Sequence, residues 1–372
     1  MSMPSERTVH GDAVGKALSL ATLLLLAAPE LAAAGDDPDA YDVLRLAEGV
    51  YGLVWREQPI HPEPNVLIVI DESDVLVVDS SMFPSTAATV IREIKKLTPK
   101  PVRYVVNTHW HDDHVFGNFV YRQTWPAVEF VAHPNTRTDA AARAFGAIPK
   151  DVAQNAANLE KYQAMLRTGK RDDGTPLGDA GRKRVERAVG YFQRYAREVG
   201  SIRTVLPDVT YDRHLTLHRG SRTIELHHLG RGNTRGDVVV YLPKERILAT
   251  GDLVVSPTPF GIGSYYAEWI DTLGKLMELD AATLFLSHGS IQHDFGYVRT
   301  LKDLLAALVS RVSAEVQRGS SLEAVRASVT LADWRERLAR GDEVIARTFD
   351  AYFVAPAVER AYRQARGEPD DG

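Results

Sequence analysis

Three imidazoles and two carboxylates fall within the seven residues Thr108-His109-Trp110-His111-Asp112-Asp113-His114, directly behind the apolar run Val102-Arg103-Tyr104-Val105-Val106. Nothing structural needs polar groups at that density, and the chain has only 12 histidines in 372 residues. A fold that contains this stretch must end a buried strand at a polar site. Neutral imidazole and carboxylate oxygen are the donors zinc prefers, and a His-x-His pair sets two rings on the same side of an extended chain, able to grip one ion. Asp113 and His114 point elsewhere and are available to a second ion close by.

The rest of the chain supplies a scaffold for such a site. Gly49–Trp55, Asn65–Ile70 and Asp74–Asp79 read as short strands separated by turn residues, and the proline-rich connection from Gln58 to Pro64 reads as a projecting loop with His61 exposed on it. Ser85–Leu97 repeats apolar residues at helical spacing and leads into the strand before the histidine cluster. Residues 134–200 are rich in Ala, Arg, Lys and Glu with a Gly/Asp/Pro break at Arg171–Pro176, which predicts two inserted helices. Strands resume at Thr210-Tyr211, Leu215–Leu217, Thr223–His228, Asp237–Leu242, Ile247–Thr250 and Thr283–Leu286. After His293 the pattern turns helical, and the stripe Leu301, Leu304, Leu305, Leu308, Val312 predicts a C-terminal helical subdomain over 296–366.

Composition bounds the partners. A hydrophobic share of 44% with 25% charged residues is that of a globular protein, and a net charge of -5 gives no basic field for a phosphate backbone, which argues against nucleic acid. Arg7 and Lys16, the apolar stretch Ala17–Ala28 and the small residues Ala32–Ala34 have the layout of a signal peptide over 1–34. That leader predicts a periplasmic or secreted protein with no stable membrane insertion after cleavage. The absence of cysteine removes disulfides, a lipid-attachment site and thiolate ligands together.

Three later segments offer further donors. Asp252 follows a strand and Gly251, Asn233 sits in the loop Gly230–Asp237, and His288 lies in Ser287-His288-Gly289 after another strand. Alone, Asp252 reads as a turn aspartate and His288 is ambiguous. Gly230–Asp237 mimics a phosphate-binding loop, but a strand follows it where a helix N-terminus would be needed. Its Arg235-Gly236-Asp237 adhesion tripeptide is too short to carry weight, and the third reading is a tight loop presenting Asn233.

Taken in order from about Tyr41 to His293, these segments resemble the metallo-beta-lactamase superfamily, whose pattern is His-x-His-x-Asp-His, then Gly-x-x-His-Thr-x-Gly-Asp, then Gly-Asp, then Gly-His-Gly. The resemblance implies an α/β fold, an αββα sandwich over 41–295 carrying the helical insertion at 134–200 and followed by the C-terminal helical subdomain. It implies two zinc ions: His109 and His111 on the first, Asp113, His114 and His288 on the second, Asp252 bridging, Asp112 not a ligand, and Asp79 supporting the metal loop.

The chain departs from the family pattern at Asn233, where the third first-site histidine would stand. An amide oxygen is a harder and weaker donor than imidazole, so three outcomes are open: Asn233 ligates, His227 or His228 substitutes, or the first site is empty. Asp252 and Val255 stand where the classical beta-lactamases of the superfamily have a cysteine ligand and a substrate-binding lysine, an arrangement similar to glyoxalase II and lactonases. The loop Ser256–Tyr266 predicts an aromatic, weakly charged pocket wall. The expected function is hydrolysis of a carboxylic ester, lactone, thioester or lactam bond of a small molecule, with Asp113 passing the proton to the leaving group. Alternatives are a beta-lactamase proper, an iron redox protein, or a non-hydrolytic metal-binding protein on the same fold.

Overall fold

The computed structural model describes residues 40–56 and 62–368. The expected leader and His61 lie outside the described residues. The first sheet runs in chain order, β1 (Tyr41–Ala47), β2 (Val50–Trp55), β3 (Val66–Ile70), β4 (Val75–Val78), β5 (Val102–Val106), β6 (Glu129–Ala132) and β7 (Val209–Thr210). Its first four strands are antiparallel and the remaining pairs parallel. The second sheet has the order β12-β11-β10-β9-β8, with β8 at His214–Arg219, β9 at Arg222–His227, β10 at Val239–Leu242, β11 at Ile247–Ala249 and β12 at Thr283–Phe285.

Strand periodicity explains the layering. Leu67, Val69, Leu76, Val78 and Val106 face Ile224, Leu226, Val238, Val240, Leu242 and Phe285 across the gap between the sheets. Their neighbours Val66, Ile68, Val75, Val77 and Val105 point the other way, onto Ala87, Val90, Ile91 and Ile94 of the helix Pro84–Leu97. Strands covered on both faces read as continuous apolar runs, which is why these segments are legible in the sequence. Gly52 marks the tightest point between the sheets, since a Cβ there would stand 2.4 Å from the Phe285 ring.

On the second sheet's outer face Val239, Tyr241, Leu248 and Leu284 pack against Trp269, Leu273 and Leu276 of the helix Tyr266–Leu276 and against Leu301, Leu305 and Leu308 of the helix Gly296–Gln317. The layers are therefore helix, sheet, sheet, helix, as the sequence predicts. The same core runs without a break across residue 295 to Phe349, Phe353 and Val358. The C-terminal helices thus share the sheet's core.

The helical insertion leaves the first sheet after β6 and returns at β7, its hydrogen-bonded neighbour. It comprises Pro134–Asp139, a π-helical turn at Ala140–Phe145, and two long helices, Ile148–Thr168 and Gly178–Glu198, with Tyr162 and Phe192 stacked between them at 5.6 Å. It packs on Met82, Phe83, Val115 and Phe116, the residues that flank the polar cluster. Among the described residues no helix is long and apolar enough to cross a membrane.

Candidate metal centre

β4 and β5 lie side by side and parallel, so their C-terminal ends open on the same edge and bring Asp79 next to Thr108. Asp79 takes the left-handed conformation, φ 65°, uncommon for a residue with a side chain and held here by its bonds. Its Oδ1 accepts the Thr108 backbone N–H at 2.8 Å, and its Oδ2 lies 2.8 Å from His114 Nδ1. Binding through Nδ1 fixes the ring and leaves Nε2 facing the centre. Asn107 Nδ2 donates to the His114 carbonyl at 2.8 Å and pairs with Asn118, fastening the loop from below.

Six donors converge there, all nearly inaccessible to solvent. His109 Nε2 and His111 Nδ1 are 2.8 Å apart, and Asp252 Oδ2 lies 3.6 Å from His109 Nε2. Asp113 Oδ2 is 3.1 Å from His114 Nε2 and 3.0 Å from His288 Nε2. The other oxygen of Asp252, Oδ1, lies 3.6 Å from His114 Nε2 and 3.8 Å from His288 Nε2. The donors form two groups, His109 with His111 and Asp252, and Asp113 with His114 and His288. Each oxygen of Asp252 faces one group.

Glycine and asparagine set the last two members. Gly251 holds φ 54°, and a Cβ on it would meet the Thr108 side chain at 2.8 Å, so the turn before Asp252 closes only on glycine. Asn65 Nδ2 donates to the carbonyls of Leu286 and Gly289, at 2.9 and 3.0 Å, and pins the loop that carries His288.

The electrostatics separate the two halves. Burial drives the His109 imidazole well below its ordinary range and His111 down to about 3, so both are neutral donors at physiological pH. Burial also opposes charge on His114, but the carboxylates of Asp113, Asp79 and Asp252 outweigh it and raise its pKa. Burial, with Asp113 and Asp151 nearby, pushes Asp112 up to about 8. Asp112 accepts the Asp113 backbone N–H at 3.1 Å, a structural duty in keeping with its exclusion from the ligands.

A divalent cation fits this donor set. Asp113 Oδ1, His114 Nε2 and both oxygens of Asp252 are buried without hydrogen-bond partners, an arrangement a protein tolerates where a cation takes up the lone pairs. Nitrogen and carboxylate donors without thiolate suit zinc and its neighbours in the first transition row.

Asn233 is buried on the loop that returns to β10, where the Val238 N–H bonds the Thr108 carbonyl at 2.8 Å. Its Oδ1 accepts from Ser264 Oγ at 3.4 Å while its Nδ2 has no partner. Exchanging the two amide atoms would let Ser264 accept from Nδ2 and free the oxygen. The substitutes considered in the sequence are engaged elsewhere. His228 Nδ1 lies 2.8 Å from the Asp237 carbonyl with its ring against His133, and His227 pairs with Glu225 and His214. Sequence reasoning missed Thr108, Asn65, Asn107 and Asn118. Only Thr108, adjoining the cluster, carried a signal by position.

The wall of the site is aromatic, as the loop after Asp252 predicts. Phe260 lies 5.8 Å from the His111 ring and Trp110 4.6 Å from it. Gly261 N–H donates to the Tyr352 carbonyl at 2.9 Å, and Gln364 Nε2 to the Ser264 carbonyl at 2.8 Å, so the C-terminal helices clamp this wall. From the insertion, the Arg143 guanidinium stands 5.1 Å over Trp110.

The model of the metallo-beta-lactamase superfamily matches residues 62–288, and the chain belongs to that superfamily. Its members are metal-dependent hydrolases, alkylsulfatases among them. A linear primary-alkylsulfatase from Pseudomonas sp. (strain ATCC 19151) is 21% identical over 222 residues, 58% of this chain and 39% of that protein. The solved structure of the stereoselective inverting sec-alkylsulfatase Pisa1 from Pseudomonas sp. superposes with a TM-score of 0.62 at 16% identity, over 90% of this chain and 52% of that one. A metallo-beta-lactamase from Pontibacter korlensis gives 0.49 at 20% identity, over 72% of this chain and 99% of that one. This chain spans only 39% and 52% of the two alkylsulfatases' lengths.

Proposed function

We propose that the protein is an exported zinc hydrolase that cleaves the ester, lactone, thioester or lactam bond of a small molecule at this centre. The observation that carries the reading is Asp252, whose two oxygens are buried without hydrogen-bond partners and face one donor group each. Zinc bound there would lower the pKa of a water molecule towards neutrality and polarise the bond to be cut.

The chain's own residues do the rest. His109, His111 and Asn233 would hold the first ion, and Asp113, His114 and His288 the second, with Asp252 between them. Asp79 and Thr108 keep the His114 ring turned inward. Asp113 Oδ1, the free oxygen of that carboxylate, is the atom that would carry a proton to the leaving group. Trp110 and Phe260 exclude water from one side and offer the substrate an apolar face. Val255, where the classical beta-lactamases have lysine, gives no cation for a beta-lactam carboxylate.

A second reading, hydrolysis of a sulfate ester, has specific support. The likeness to the sec-alkylsulfatase takes in 90% of the chain, and Arg143 puts positive charge beside the metal loop, where an anionic ester group would be favoured. The test is a panel of carboxylic esters, lactones, thioesters, beta-lactams and primary and secondary alkyl sulfates, assayed with and without chelator. Chelator-sensitive turnover of an acyl compound supports the first reading, and turnover confined to sulfates supports the second. Turnover that survives chelation rejects both.

A further inference from the structure

A second cluster of metal-ligand type lies outside this centre, on the hairpin β8–β9 at the edge of the second sheet. The register sets His214 directly opposite His227 and Thr216 opposite Glu225. Ile224 and Leu226 point into the core between the sheets, so strand alternation turns Glu225 and His227 to the outer face, and Leu215 and Leu217 do the same for His214 and Thr216. The two imidazoles stack with centroids 4.5 Å apart, and Glu225 Oε2 lies 3.0 Å from His227 Nε2. One donor atom from each of His214, Glu225 and His227 falls within a sphere where all are within 4.8 Å of one another.

We propose that His214, Glu225 and His227 form a further binding site for a divalent transition-metal ion of the zinc class, separate from the candidate centre. Two imidazoles and one carboxylate supply three of the four donors of a tetrahedral site, and water completes it. The hairpin holds the donors before an ion arrives: two come from one strand at alternate positions and the third from its hydrogen-bonded partner, so little backbone freedom is lost on binding. β8 is the edge strand, paired on one side only. An ion gripped by His214 from β8 and by Glu225 and His227 from β9 clamps that edge to the sheet. Bound only to the folded hairpin, it stabilises the fold in proportion to free metal. The proposal does not depend on what the candidate centre hydrolyses.

The test uses the full chain and zinc alone as probe. Wild type, His214→Asn and His227→Ala are equilibrated at about 10 µM free zinc, and bound zinc per chain and melting temperature are measured. The expected result is one zinc equivalent fewer in each variant, with wild type gaining several degrees on zinc addition that His214→Asn does not gain. Chelator-sensitive hydrolysis should be the same in all three proteins. His214 is exposed, so its replacement leaves the core intact and serves if His227→Ala does not fold. Equal zinc content and equal zinc-induced stabilisation in wild type and His214→Asn would overturn the proposal.

Discussion

Asp79 and His114 meet at 2.8 Å, Oδ2 to Nδ1, with both side chains buried. The strand end of β4 thereby dictates which nitrogen of the β5 loop faces the centre. The contact turns a flexible ring into a fixed donor before any ion binds.

Asp79→Asn should therefore weaken metal binding at the second group by about 10–100-fold while leaving the fold in place. The amide can still meet the Thr108 N–H, but it does not hold the His114 tautomer as a carboxylate does. Competition against a chromophoric chelator reads the affinity, and circular dichroism checks the fold. Unchanged affinity would show that His114 does not need its partner.

Asn233→His should raise zinc affinity at the first group by about tenfold or more, because imidazole is the better donor for that ion. The same chelator competition, resolved into two steps, measures it. If the first step does not move, Asn233 is not turned to the ion.

Much of this was legible in the sequence because each conserved-looking chemistry sat next to a strong local signal. The strands of the first sheet are continuous apolar runs, and the residues that end them are the donors. β6 escaped, since Glu129–Ala132 is only four residues long and acquires its strand character from pairing with β5. Asn65 and Asn118 escaped for a related reason: each acts on a partner distant in sequence or through a packed loop, and no period or spacing marks that. The division at residue 295 looked sharp because the hydrophobic pattern changes there from strand to helix, whereas a core is set by which faces meet. The helix Gly296–Gln317 covers the second sheet, and the later helices pack on it.

Gly52→Ala should destabilise the protein by about 1–3 kcal/mol, since the new methyl group meets the buried Phe285 ring across the sheets. Urea denaturation monitored by tryptophan fluorescence reads the change. Hydrolysis per folded molecule should be unaffected, because the overlap lies within the core.

Glu63 predicts a pH effect on stability. Burial raises its carboxyl from 4.5 to about 7, against the opposing influence of Arg194 and of the Met82 and Phe83 N–H groups it accepts. The folded chain holds this proton more tightly than the unfolded chain. Its contribution is present in full below pH 4.5 and is lost as pH rises through about 7. Relative to Glu63→Gln, wild type should lose up to about 3 kcal/mol between pH 4 and pH 8, measured by urea midpoints across that range. Parallel pH profiles for the two proteins would contradict the assignment.

The most direct test of the centre is the metal content of wild type and Asp252→Ala after dialysis against a trace of zinc, determined by elemental analysis. Asp252 is the one carboxylate that faces both donor groups, so its loss should remove metal from each: about two tightly held equivalents in wild type, fewer than one in the variant. Equal metal content in the two proteins, or none in wild type, would contradict the account.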